Sequence, residues 1–238
     1  MSGSITITID GKEVTAQPGQ TIMEAADGAG IYIPRLCAHQ DLVPHGSCRV
    51  CTVRVNGRPQ AACTQPVAPN MDVESETPEM LNVRKSMVEM LYVEGSHFCP
   101  FCERSGDCEL QAMAYRLGVA SPRYPFMYPR RKVDASHPEI LVDHNRCILC
   151  GRCVRASRDI DGKHVFDFVQ RGPHKEVGVN AKSGLGGTNA AVTDKILEVC
   201  PVGAILRKGV GFKVPVGQRT YDHAPIGTDI EKQGTTSE

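Results

Sequence analysis

Ile5, Ile7 and Ile9 alternate with polar residues at the start of the chain, and Asp10-Gly11 then turns it back into a strand through Val14. That pattern predicts a β-hairpin. Thr21 with Glu24 three residues on forms a capping box that starts a helix, which Gly28 and Gly30 can end. Val53 and Val55 lead into a second tight turn at Asn56-Gly57. Residues 4–75 therefore read as mixed strands with one helix, and Cys37, Cys48 and Cys51 fall on the loop between helix and strand.

From Thr77 the period changes. Pro78 takes a first helical position, and Met80, Leu81, Met87, Val88 and Leu91 lie on one stripe of a helix ending at Gly95, where the methionines read as core. A further helix runs from Glu109 to Leu117 and stops at Gly118, giving a small all-α unit. Pro122, Pro125, Pro129 and Pro138, set among Tyr124, Phe126, Tyr128, Arg130, Arg131 and Lys132, resist both helix and central strand. That stretch reads as a linker, either a docking surface or a strap on the chain's own domains. A third unit begins near Ile140 and closes near Leu206. Within it, Gly184-Leu185-Gly186-Gly187 resembles a phosphate loop only superficially, has no apolar strand before it, and reads as a flexible surface excursion. The tail from Phe212 is polar and rich in Gly and Pro, either frayed or an arm ordered by a partner.

Composition sharpens this outline. At 238 residues with 41% apolar and 5% aromatic content, the core is modest for its length, so bound cofactors would supply cohesion. A formal charge of zero argues against nucleic acid or an anionic membrane as main partner. The N-terminus lacks a basic and then apolar leader, and no segment has the roughly 18 apolar residues of a spanning helix. We expect a soluble, cytoplasmic protein. Eleven cysteines, an odd number, in a reducing compartment favour metal ligation over disulfides.

The cysteines fall into three sets. Cys147, Cys150 and Cys153 form a C-x2-C-x2-C run, completed by Cys200-Pro201. Bacterial-type ferredoxins carry such a motif twice, with the fourth thiolate reaching the other cubane. Here Ser157 stands at the fourth position of the first motif, and Ala190, Thr193 and Ile196 at the first three of the second. The losses are complementary, so one [4Fe–4S] cluster remains. Cys37, Cys48, Cys51 and Cys63, spaced C-x10-C-x2-C-x11-C, fit four thiolates around a [2Fe–2S] rhomb. Zinc is the alternative at both sets. Cys99, Cys102 and Cys108 number only three, and His97 is the candidate fourth ligand of a second cubane. Arg35, Arg49, Arg104, Arg146, Arg152 and Arg155 lie beside the sets, as donors to cluster sulfur or as solvated charges.

In order, these units resemble the N-terminal part of the large iron–sulfur subunit of respiratory complex I, the middle one ending in Gly-Asp-Cys-Glu-Leu-Gln. With the stretch from Glu94 to Cys102, the short chain is most similar to the diaphorase small subunit of soluble NAD-reducing [NiFe] hydrogenases. The resemblance implies an α+β chain with a [2Fe–2S] ferredoxin-like β-grasp domain over 1–78 and a helical [4Fe–4S] segment over 79–120. A linker over 121–139, a [4Fe–4S] ferredoxin-like domain over 140–210 and an extended tail over 211–238 complete it. It implies Cys37, Cys48, Cys51 and Cys63 as [2Fe–2S] ligands, with His97, Cys99, Cys102 and Cys108, and Cys147, Cys150, Cys153 and Cys200, as the two [4Fe–4S] sets. In complex I three residues usually separate the histidine from the first cysteine, whereas only Phe98 separates His97 from Cys99. The function implied is electron transfer between an FMN- and NAD-binding subunit and the small and large subunits of a [NiFe] hydrogenase, with no active site on this chain. An NAD-linked formate dehydrogenase or complex-I-like assembly is the alternative setting, and a zinc-stapled scaffold the alternative of another class.

Overall fold

In the computed structural model, which describes residues 3–234, the N-terminal alternation forms β1 (Ile5–Ile9) and β2 (Lys12–Ala16), antiparallel with Ile7 opposite Val14. Asp10 and Gly11 take φ of 48° and 78°, the positive values that a two-residue hairpin turn requires. Thr21 caps α1 (Ile22–Gly28): its hydroxyl accepts from the Glu24 N–H at 3.2 Å, while the Glu24 carboxylate accepts from the Thr21 N–H at 2.6 Å. β3 (Thr52–Val55), β4 (Arg58–Ala61) and β5 (Asp72–Glu74) complete a mixed sheet in the order β2-β1-β5-β3-β4, with β5 parallel to β1. Ile22, Met23, Ala25 and Ala26 of α1 share a core with Ile7, Ile9, Val53 and Val73 of the sheet.

α2 (Pro78–Val93) opens on Thr77, whose hydroxyl accepts from the Met80 N–H. Of its expected stripe, Met80 and Val88 are buried and Leu81, Met87 and Leu91 pack against the core. Arg84, unanticipated there, is fully buried and donates to Ser75 Oγ and the Thr52 carbonyl, tying the helix to β3. α3 (Glu109–Arg116) follows. The remainder is built from β6 (Val133–Asp134), β7 (Ile140–Asp143), α4 (Arg152–Arg155) running on into a π turn, β8 (Phe166–Val169), β9 (Glu176–Val179), α5 (Lys195–Val199) and β10 (Ile205–Arg207). β10, β7 and β6 make one sheet, and β8 and β9 a hairpin.

One alternative is selected and two expectations change. The proline-rich stretch lies as a strap on the chain's own elements: Arg123 grips Glu89, Asn82 and Ser86 along α2, and β6 joins the sheet edge, the position proline-rich chain tolerates. The Gly184–Gly187 turn follows β9 closely, buries Leu185 completely, and gives its N–H groups to Asp134 and Ser136 rather than to solvent. The tail carries α6 (Thr228–Gly234) and lies on the middle segment, with Thr220 bonded to Asp107, and Arg116 to the Ile226 carbonyl and Glu231. Residues 1, 2 and 235–238 of the outermost expected segments lie outside the described residues.

One apolar core spans the sequence units. Leu36, Leu42 and Val50 from the loop between α1 and β3 join Val88, Leu110 and Met113 of the helices and Ile140, Ile196 and Val199 further on. The cysteine loops are thereby pressed together. Among the described residues, no helix is long and apolar enough to cross a membrane.

Candidate metal centres

All eleven cysteines are free thiols. Cys37 and Cys48 sit on the long loop after α1, Cys51 just before β3 and Cys63 just after β4, so the start of one strand and the end of its partner complete the set. The Cys37 N–H donates to Cys48 Sγ at 3.4 Å and the Cys48 N–H to Cys37 Sγ at 3.5 Å, the reciprocal arrangement that supports anionic sulfur. Contact with Cys48 and Cys63 holds the Cys37 thiol far below its usual range, and Cys63 lowers Cys51 to about 7. Contact with Cys37, reinforced by burial, pushes Cys48 and Cys63 up. Four thiols so close cannot all ionise without a cation among them.

The second set lines a cavity between α2 and α3. His97, Cys99, Cys102 and Cys108 face it together with Tyr92, Ser96 and Gln111. Burial pushes Cys108 up to about 12 and His97 down to about 4, so the imidazole is neutral. Its Nε2 is buried with no hydrogen-bond partner, while a hydrogen bond to the Leu91 backbone acts on the ring. A buried ring nitrogen without a partner, on a residue of a thiol-lined cavity and with the ring anchored to a backbone group, fits a metal-binding histidine. Gly95 permits it, since a Cβ there would come within 2.4 Å of Nε2. Gly203 does the same for Cys102, whose Sγ would lie 2.9 Å from an added Cβ. Arg146 donates to Cys102 Sγ at 3.6 Å and is itself held by Glu103 and Asp143.

In the third set, Leu149 (φ 53°) and Gly151 (φ 68°) coil the loop before α4, and the Leu149 N–H donates to Cys147 Sγ at 3.4 Å. Cys200 follows α5 directly. All four thiols line a cavity whose other walls include Val142, Ile148, Phe166, Val177, Val202 and Ile205. Burial raises Cys147 to about 11 and Cys150 to about 12, and Cys153 well above its usual value. In such surroundings thiolates persist only when bound to metal. The vestigial second motif is closed: Ser157 is fully buried, its hydroxyl accepting from the Val165 N–H at 2.7 Å, and Ile196 is core.

The structure brings Cys37, Cys48, Cys51 and Cys63 into contact and places the residues of the second and third sets each around a cavity. The arginines divide. Arg35 pairs with Asp27, Arg146 reaches a thiol, and Arg152 and Arg155 are buried between sets. Glu109, Gly95 and Gly203 were missed by sequence reasoning; the first two stand next to Cys108 and two residues before His97, positions that invite inspection.

The fold and these donor sets define an iron–sulfur protein with a 2Fe-2S domain followed by 4Fe-4S-binding regions. Residues 2–78 match the 2Fe-2S iron-sulfur cluster binding domain, 84–123 the NADH-ubiquinone oxidoreductase-G iron-sulfur binding region, and 137–206 the ferredoxin-like domain of NADH-quinone oxidoreductase subunit 3. The chain is 42% identical over 223 residues, 92% of its length, to the NAD-reducing hydrogenase HoxS subunit gamma of Cupriavidus necator, and covers 94% of that protein. It superposes with a TM-score of 0.91 and 47% identity on a chain of a crystal structure of NAD+-reducing [NiFe]-hydrogenase in the H2-reduced state, covering 94% of this chain and 95% of that one. It is also 33% identical over 213 residues to the mitochondrial NADH-ubiquinone oxidoreductase 78 kDa subunit of Candida albicans, with 88% of this chain aligned but only 29% of that protein covered. The chain belongs to the family of NAD-reducing hydrogenase gamma subunits.

Proposed function

We propose that this chain is the electron-transfer subunit of a cytoplasmic NAD-reducing hydrogenase, linking an FMN- and NAD-binding subunit to the small and large subunits of a [NiFe] hydrogenase module. The observation that carries the reading is the grouping of all eleven cysteines into three sets, with His97, whose buried Nε2 has no hydrogen-bond partner, on the wall of the cavity that holds only three thiols. Family membership and the similar hydrogenase chain support the same reading.

Cys37, Cys48, Cys51 and Cys63 would hold a [2Fe–2S] cluster. His97, Cys99, Cys102 and Cys108 would hold one [4Fe–4S] cluster, and Cys147, Cys150, Cys153 and Cys200 the other. Bound clusters supply reversible one-electron chemistry. The chain's own residues fix the donors on cavity walls, exclude water with the apolar lining of the third set, and offer Arg146 as a cation at the second.

Anoxic purification of the native complex tests the assignment: flavin- and nickel-bearing chains should co-elute with this one, and their absence rejects it. At the second centre, His97→Ala is expected to lose or alter the cluster's EPR signal. His97→Cys should leave a more negative cluster with a lower potential, because thiolate replaces neutral imidazole. Unchanged spectra and potentials in both variants exclude His97.

A further inference from the structure

Arg84, Arg152 and Arg155 are buried arginines among the described residues. Arg84 has Glu76 as partner and Arg152 has Glu109. Arg155, only 6% exposed, is held by carbonyls alone. Its Nη2 donates to the Cys37 carbonyl at 2.7 Å and, less closely, to that of Cys150 at 3.4 Å. Nη1 donates to Val43 at 2.6 Å and Nε to Gly151 at 3.2 Å. Among the described residues no carboxylate pairs with it, and Asp159, which feels its charge, is paired with Arg158.

A guanidinium taken out of water without a counter-ion is costly, and carbonyl dipoles offset only part of that cost. The carboxylates on these elements, Asp41 in the loop that offers the Val43 carbonyl and Asp159 beyond α4, are paired with Lys195 and Arg158, which leaves the iron-bound thiolates of the first and third sets to balance Arg155. Two of the carbonyls it grips belong to cysteines of different sets, one in the first and one in the third. The hydrogen bonds therefore place a fixed cation at the junction of two net-negative centres.

We infer that Arg155 is a positioning residue shared by the first and third centres: its charge sets the potentials of both, and its fork holds their ligand loops together. This rests on the cluster reading above. Reduction of either centre adds one negative charge that the guanidinium stabilises. When an electron passes between them, one centre is oxidised and the other reduced by the same single electron, no proton is required, and the cation faces the charge before and after.

The test is an EPR-monitored redox titration of the full chain in its native complex. With Arg155→Met, the one-electron equilibria of the first and third centres should each shift at least tenfold towards the oxidised form, about 59 mV. The second centre, which Arg155 does not touch, should hold its value. Arg155→Lys keeps the charge and should hold both potentials within that margin. The inference is overturned if Arg155→Met keeps both signals with either potential unmoved, or if Arg155→Lys shifts as far. Where Arg155→Met fails to assemble, Arg155→Gln replaces it, and if that fails too, Arg155→Lys alone decides by the same margin. A wild-type complex lacking either signal refutes the cluster assignment itself, and this inference with it.

Discussion

Stripped of iron under anoxic conditions, the chain is expected to lose its larger core cooperatively while the N-terminal sheet survives. The two cores differ in what fills them. Around the N-terminal sheet, Ile7, Ile9, Val14, Ile22, Ile33, Val53 and Val73 pack on one another, with only Cys51 and Cys63 drawn from the sets. The larger core contains Cys37, Cys48, Cys108, Cys150, Cys153 and Cys200, and the cavities of the second and third sets lie among its helices and short strands. Without metal those cavities keep their desolvated thiols and lose the bonds that would join α3 to the loop after α2, and α4 to the end of α5. Binding of structural metal contributes on the order of 10 kcal/mol, comparable to the whole stability of a typical domain, about 5–15 kcal/mol. Hydrogen exchange should therefore show amides of 147–155 and 196–206 unprotected in the iron-free chain, while those of β1 and β2 remain slow. An iron-free protein melting in the same single transition as the loaded one would count against this account.

Local features were legible in the sequence to the extent that their causes are local. The turn at Asp10-Gly11, the capping box at Thr21 and Glu24, and the start of α2 at Thr77-Pro78 depend on residues within a few positions of each other, and all formed as expected. The cysteine sets were legible for a similar reason, since loop ligands come in short spacings and only Cys63 and Cys200 had to be assigned from a distance. What the sequence concealed is long-range. The parallel pairing of β5 with β1 joins residues more than sixty positions apart, and the docking of the tail relies on Asp107 and Glu231 finding Thr220 and Arg116. Leu185 is core because Asp134 captures its backbone, which no phosphate-loop pattern could suggest. The roles of the arginines were equally hidden, because a solvated guanidinium and one buried between two loops have the same sequence signature.

Replacing Glu109 by alanine is expected to destabilise the cluster-loaded chain by about 3–5 kcal/mol, the cost of leaving a buried charge without its partner. Arg152 is 2% exposed and meets both Glu109 carboxylate oxygens, at 2.6 and 2.8 Å, in the paired geometry that makes such contacts strong. Its remaining donors reach the Ala38 carbonyl at 2.7 Å and that of Val199 at 3.2 Å, while Nε is buried without a partner. Ala38 follows Cys37, Glu109 follows Cys108 and Val199 precedes Cys200. One ion pair thus fixes backbone beside a cysteine of every set, so its loss is felt at all three. Because a buried pair exchanged for apolar side chains is often nearly neutral, the double variant Glu109→Ala/Arg152→Met should recover most of the loss. Denaturant unfolding of the two variants under anoxic conditions measures both quantities. A Glu109→Ala protein as stable as wild type, or a double variant no better than the single, would mean that the junction is held by the shared apolar core and that the pair contributes little beyond it.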